Sequence, residues 1–280
     1  MPEGPEVECT RQYLKSLIGK TVKKIQLTEL SQKYPKYQNR QSDFDWFKGQ
    51  RVIDIERIGK FLIWCFNEKV ILNHLGMSGK WILLKKGSQK LPSHSKALMH
   101  FEKNPQYAVF DDIRNFGQFK VFESYEKVMQ HDPIRKMGVD GLANPFPMKE
   151  FLAKINKPNY ANREIGAVLV DQKLVAGVGN IYKSESLALA KINPTRLVKT
   201  LTKKERKELG LAISKTLWKA VDCNGSTFST FQIPTGQEGS AQNWHKVYGK
   251  HGEICQNCKT EITRIVQNGR STFFCSECQK

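Results

Sequence analysis

The sequence has no long hydrophobic run. Its longest apolar stretches, such as FLIWCF at 61–66, have the length of a strand and are far too short to cross a bilayer. The opening MPEGPEVE lacks both the basic start and the apolar core of a secretory signal, so none is expected. Internal repeats and low-complexity tracts are absent, which leaves an ordinary globular organisation. Acidic residues are scarce: 27 Asp and Glu face 45 Lys and Arg, for a net charge of +18 and a pI near 9.6. An excess of that size implies a polyanionic partner. Nucleic acid ranks above a membrane surface, because no basic helix with a large apolar face is present. Charge alone separates neither DNA from RNA nor a binder from an enzyme. Cysteine outside the C-terminal region is sparse as well. Cys9, Cys65 and Cys223 are scattered in apolar or helical surroundings and read as small buried hydrophobes, not disulfide partners.

A chain of 280 residues suffices for two domains, and five Trp and fifteen Phe can build real cores. The expectation is a soluble, intracellular, monomeric protein. After the opening, Val7, Arg11, Leu14, Leu17 and Ile18 recur at helical spacing until Gly19. From 21 to about 122 the chain reads as strands: TVKKIQLTEL, RVIDIERIGKFLIWCF, VILNHLGMSGKWILL, ALMHFE, YAVFDD and FGQFKVFE, separated by Gly, Pro and Asn. Many short strands at this spacing predict a sandwich or barrel. The Pro- and Gly-rich stretch 131–147 predicts a linker. Helical text follows in MKEFLAKI, NREIGAVLVDQ and NIYKSESLALAKI, then in a long amphipathic helix over roughly 202–222. Residues 223–246 read as a polar loop region.

The last thirty or so residues carry Cys255-x2-Cys258-x16-Cys275-x2-Cys278. Two such knuckles can put four thiolates around one ion, with the intervening residues forming a hairpin. Four sulfur ligands leave no open position for water, so one structural Zn2+ is predicted, whose binding holds a module too small to fold alone. Arg264, and Arg270 after the Asn268-Gly269 turn, are cations displayed on that hairpin and suit phosphate contacts.

Several further segments stand in order: Pro2-Glu3-Gly4-Pro5-Glu6, Gly59-Lys60, His74-Leu75-Gly76-Met77-Ser78-Gly79, Asp112-Ile113-Arg114-Asn115-Phe116-Gly117, and QKLVAGVGNIYKSES at 172–186. With the zinc knuckles they resemble the formamidopyrimidine-DNA glycosylase/endonuclease VIII family along nearly the whole chain. The MPEGPE opening is more like the endonuclease VIII-like branch, the expected assignment, whereas HLGMSG is closer to the formamidopyrimidine branch. The resemblance implies an α+β fold. An N-terminal helix and two-layered β-sandwich span 2–130, a linker 131–147, a helical domain with a helix–two-turns–helix motif 148–246, and a β-hairpin zinc finger 247–280. It also implies a bifunctional glycosylase and abasic-site lyase acting on damaged DNA. The alternative is a non-catalytic damaged-DNA binder, against which an intact Pro2, Glu3 and Lys60 argue.

On the same resemblance, loss of Met1 frees the secondary amine of Pro2, which titrates at about pH 8 and can form a Schiff base with a deoxyribose. Glu3 becomes the acid that assists sugar-ring opening. Glu6 either supports the pocket or decorates the first helical turn, where acid suits the dipole. Lys60 is placed against phosphates beside the lesion. Asn180, at a predicted helix N-terminus after the Gly177-Val178-Gly179 turn, joins Lys60 and Arg270 as a third phosphate contact. Met77, Arg114 and Phe116 match residues that fill the void left by an extruded base. Asn115 stands where many relatives carry a second arginine. The loop 226–243 is expected over the base pocket, with an aromatic content that departs from the 8-oxoguanine-capping pattern.

Overall fold

A computed structural model describes residues 1–33, 41–87, 90–228 and 231–280. These fall into two compact units, one of residues 1–2, 6–135 and 224–240, the other of residues 3–5, 136–223 and 241–280. The change of unit at 135 and 136 lies inside the stretch expected as a linker. Residues 224–240 depart from the expected organisation, for they join the sandwich and not the helical domain. Pro234 O accepts the Leu83 amide at 2.8 Å, Gln232 accepts Lys80 Nζ at 3.0 Å, and Phe231 and Ile233 are buried. Sequence could not show this, because the anchor lies on a strand far upstream.

The first unit opens with helix α1 (Gly4–Leu14), whose first two residues cluster with the other unit. Its strands among the described residues are β1 (Val22–Leu27), β2 (Asp54–Ile58), β3 (Phe61–Cys65), β4 (Val70–His74), β5 (Lys80–Lys85), β6 (Ser95–Phe101), β7 (Gln106–Asp111) and β8 (Gln118–Phe122). Short helices α2 (Glu29–Gln32), α3 (Gln41–Asp45) and α4 (Tyr125–Gln130) complete it. The strands form two antiparallel four-stranded sheets, ordered β1-β6-β7-β5 and β2-β3-β4-β8. One core takes side chains from both, including Trp64 and Ile71 of one sheet and Trp81, Met99 and Phe110 of the other, closed by Val7 and Leu14 of α1. Area burial on this scale is the main favourable term in folding the sandwich. Trp81 keeps its indole N–H satisfied inside that core by donating to Asn73 at 2.9 Å.

In the second unit, β9 (Val139–Asp140) pairs in parallel with β10 (Val175–Ala176). Its helices are α5 (Met148–Ile155), α6 (Pro158–Ala161), α7 (Ile165–Val168), α8 (Asn180–Leu189) and α9 (Lys203–Asp222). Thr202 and Glu205 close a capping box on α9, as a Thr three residues before Glu allows. The helical reading of 162–172 shrinks to α7, because the chain turns at Asp171, whose carbonyl accepts the amides of Leu174 and Val175. The C-terminal hairpin is β11 (Thr263–Gln267) with β12 (Arg270–Phe274). Among the described residues no helix is long and apolar enough to cross a membrane.

Candidate active site and zinc centre

The expected site residues divide between the units. Pro2, Glu6, Lys60, Met77, Arg114 and Phe116 belong to the first; Glu3, Asn180, Arg270 and the cysteine quartet belong to the second.

A chain terminus ordinarily frays, but this one is fastened. Glu3 is 3% exposed, and its carboxylate accepts the amides of Gly179 at 2.8 Å, Ile181 at 2.9 Å and Tyr182 at 3.3 Å. Gly4 N donates to Gly177 O at 2.8 Å. The carboxylate therefore caps α8, where the helix dipole and unpaired amides favour negative charge. A side chain on Gly179 would collide with that carboxylate, so this glycine makes room for Glu3. Here the sequence reading needs correction. The amides at the start of α8 are not an open phosphate site, since Glu3 occupies them, and what Asn180 offers is its side chain.

That side chain is held from two sides. Asn180 Nδ2 donates to Ser271 O at 2.7 Å, and Lys183 Nζ donates to its Oδ1 at 2.8 Å. Lys183, 1% exposed, also donates to Thr272 Oγ1 at 2.6 Å. Burial, against the pull of Glu3 and with the push of Arg270, brings this ammonium down to about 8. The phenol of Tyr248 lies against the same amide. Arg270 is exposed, one residue before Ser271, after a turn in which Asn268 and Gly269 both adopt positive φ. Asn180 and Arg270 are thus brought together across α8 and β12. Lys183 was not singled out from sequence, because a lysine one turn into a helix reads as solvated.

In the first unit Pro2 is buried and leads directly into α1. Glu6, 2% exposed, accepts the Ser226 amide at 2.8 Å and so fastens the base of the loop 226–243. Ser229 and Thr230 of this loop lie outside the described residues. Lys60 occupies the β2–β3 turn and is 6% exposed. Gly59, at φ 57, forms the turn, and its carbonyl accepts Arg57 Nη1 at 3.0 Å, while Arg57 pairs with Glu8 at 3.0 Å. His74 at the end of β4 is a neighbour that sequence reasoning missed. Burial and the charge of Lys60 push it down to about 4, and its Nδ1 accepts the Gly76 amide at 3.0 Å. A neutral ring with that acceptor carries its proton on Nε2. The signal available in sequence was its place in HLGMSG.

Met77, Arg114 and Phe116 are brought together on the β4–β5 and β7–β8 connections. All three are exposed, Met77 at 38% and Phe116 at 40%, and the Arg114 guanidinium lies 5.4 Å from the Phe116 ring centroid. Neither apolar side chain is in the sandwich core. Asn115 between them adopts φ 58, a conformation that asparagine tolerates better than most residues.

The four cysteines gather with their sulfurs within 4.8 Å of one another. Cys258 Sγ lies 3.3 Å from Cys275 Sγ, and Cys255 Sγ 3.9 Å from Cys278 Sγ. A tetrahedral zinc with bonds of about 2.3 Å places its sulfurs about 3.8 Å apart, so the quartet fits one Zn2+. All four positions are protein ligands, and the metal is structural. Glu185 of α8 accepts the amides of Lys246, Val247 and Tyr248 at 2.8–3.0 Å and ties the approach to this module to the helix.

Comparisons agree along the chain. Residues 1–119 match the formamidopyrimidine-DNA glycosylase N-terminal domain, residues 137–232 the formamidopyrimidine-DNA glycosylase H2TH domain, and residues 252–280 the zinc finger found in FPG and IleRS. The formamidopyrimidine-DNA glycosylase of Halalkalibacterium halodurans is 35% identical over 285 residues, covering 100% of both chains. The Lactococcus lactis Fpg, solved in complex with DNA containing an abasic site, is 32% identical with a TM-score of 0.87 and 99% coverage of each chain. A mutant of that protein with DNA containing Fapy-dG gives a TM-score of 0.86 at 31% identity, over 100% of each. These proteins carry the formamidopyrimidine name and lend no support to the expected endonuclease VIII-like branch.

Proposed function

This chain belongs to the formamidopyrimidine-DNA glycosylase family, and from that premise we propose how its residues excise a damaged base and cut the strand. The protein is a DNA glycosylase of base excision repair with abasic-site lyase activity, and damaged DNA is its partner. The fastened N-terminus carries the mechanistic reading. Pro2 is buried, Glu3 is held by three amides, and Gly4 is bonded to Gly177, which supports a nucleophile held on a fastened segment.

Removal of Met1 leaves Pro2 with a secondary amine that is partly unprotonated near neutral pH. Its lone pair attacks C1′ of the deoxyribose as the bond from C1′ to the base breaks, and the base leaves with a proton. Opening of the sugar ring, assisted by Glu3, gives an iminium. That cation acidifies C2′, and loss of a C2′ proton expels the 3′ phosphate; a second elimination expels the 5′ phosphate. Water then hydrolyses the iminium and returns the amine. Lys60, Asn180 and Arg270 hold phosphates, and Lys60 stabilises the charge on the departing one. Met77 and Phe116 fill the space vacated by the base while Arg114 bonds the widowed partner. Glu6 supports the pocket through the loop at Ser226. Zn2+, held by Cys255, Cys258, Cys275 and Cys278, supplies no chemistry and maintains the hairpin that bears Arg270.

We assign the formamidopyrimidine branch, supported by the HLGMSG segment and by the names of the relatives; the MPEGPE opening alone favours the endonuclease VIII-like alternative. The lesion classes are formamidopyrimidines, oxidised pyrimidines and hydantoins, with 8-oxoguanine ranked lower because the loop 226–243 departs from the capping pattern. Borohydride trapping on duplexes bearing each lesion tests the reading. A covalent complex and excised base are expected, whereas binding to damaged DNA with no trapped product would establish the non-catalytic alternative.

A further inference from the structure

Met77 stands on one connection and Arg114 and Phe116 on another, yet both connections are anchored on a single enclosed carboxylate. Asp112 is 0% exposed and Ser78 is 6% exposed. Ser78 Oγ donates to Asp112 Oδ1 at 2.6 Å, and the Gly117 amide donates to Asp112 Oδ2 at 2.7 Å. The Arg114 amide donates back to Ser78 Oγ at 2.8 Å. The Lys96 ammonium, 2% exposed, lies in the field of Asp112, so the buried carboxylate also has a cation nearby. The two backbones are in contact as well. Gly76 adopts φ 68, and any side chain there would collide with the Phe116 carbonyl group.

We infer that the Ser78–Asp112 pair is a positioning clamp that makes Met77, Arg114 and Phe116 one rigid wedge. The clamp rests on the reading of those three residues as void fillers. The Ser78 hydroxyl works in both directions, accepting the amide that precedes the Phe116 tip and giving its proton to the carboxylate that holds Gly117 behind it. Ser78 is also the residue next to Met77, so one hydroxyl fixes both connections. Loose tips would have to be ordered at the moment of base extrusion, at a cost in conformational entropy; tips already ordered avoid it. Cleavage of a site that has already lost its base makes less demand on the wedge. The clamp therefore acts on excision and spares the lyase step.

The test compares wild type, Ser78→Ala, Ser78→Thr and the triple alanine replacement of Met77, Arg114 and Phe116. Single-turnover excision of a lesion in duplex DNA and nicking of a preformed abasic site are measured in parallel, with 2-aminopurine opposite the lesion reporting wedge insertion. Ser78→Ala should slow excision at least about tenfold, in line with the penalty for misplacing groups by fractions of an ångström. It should blunt the 2-aminopurine signal and leave abasic nicking nearly unchanged, while Ser78→Thr, which keeps the hydroxyl, should excise like wild type. If Ser78→Ala fails to fold, Ser78→Cys, with its weaker donor, is read by the same ratio. Equal losses in both reactions, or an unaffected Ser78→Ala beside a slowed triple variant, would overturn the clamp. If the triple variant also excises normally, the void-filling reading itself fails.

Discussion

Glu3 Oε1 accepts the amide of Ile181 at 2.9 Å, joining the residue after the proposed nucleophile to the first turn of α8. With the bonds to Gly179 and Tyr182, the carboxylate accepts three backbone amides. Glu3→Gln replaces one oxygen by an NH2 group, which confronts amide donors with a donor. We expect a loss of about 1–3 kcal/mol in stability from the stranded amides and a larger proportional loss in trapping of abasic DNA. Urea unfolding and borohydride trapping check the two; normal trapping would remove Glu3 from the mechanism.

Lys183 Nζ contacts Asn180 and Thr272 beneath the proposed phosphate site. Because lysine only donates, it must face Asn180 Oδ1, which turns the amide's donor edge the other way. Lys183→Met keeps the apolar stem and removes the buried charge. Stability should hold or rise, by about 1 kcal/mol, since burying an ammonium is costly. Affinity for duplex DNA should fall, and the slope of log K against log salt should shrink by up to about one. Unchanged affinity and slope would show that Lys183 contributes nothing to phosphate binding.

Four histidines are pushed below their ordinary value, His74 and His245 furthest and His100 and His131 in the same direction, chiefly by burial. His74 and His245 are both brought down to about 4, by burial first and then by Lys60 and Lys250 respectively. In the unfolded chain they titrate near 6.5, so between about 6.5 and 4 the unfolded state binds more protons. Their contribution is fully present above that window and is lost as pH falls through it, by at most about 3 kcal/mol each. The urea midpoint should drop between pH 7 and pH 5. A midpoint that is flat or rises on acidification contradicts the environments described for both rings.

Cys275→Ser takes one of four sulfurs from the zinc centre. The protein should lose zinc, and DNA affinity should drop because the hairpin carrying Arg270 loses its support. Metal content and a binding isotherm report both. A metal-free protein with full affinity would show that the hairpin stands without zinc.

Sequence carried the parts of the fold that local patterning controls. Alternation located the sandwich strands, MKEFLAKI coincides with α5, and the cysteine spacing foretold a quartet that does gather. Contacts between distant segments were hidden. Glu3 and α8 meet although most of the chain separates them, and the glycine turn reserved for phosphate holds that carboxylate instead. Residues 224–240 read as part of the helical domain because they follow α9, yet they are bonded to β5 and to Glu6. Lys183 and His74 carried no sequence signal of their own, and the burial of Lys60 was not legible either. Only the fold shows that they are enclosed, and enclosure is what gives them electrostatic leverage.

The proposed chemistry depends on which nitrogen meets the sugar. Abasic duplex DNA is reduced onto the protein with borohydride, the adduct is digested, and the modified peptide is sequenced by mass spectrometry. A deoxyribose remnant on the amine of Pro2, with Met1 absent, is expected, and Pro2→Gly should give no trapped product. A remnant on a lysine side chain, with Pro2 unmodified, would contradict that chemistry.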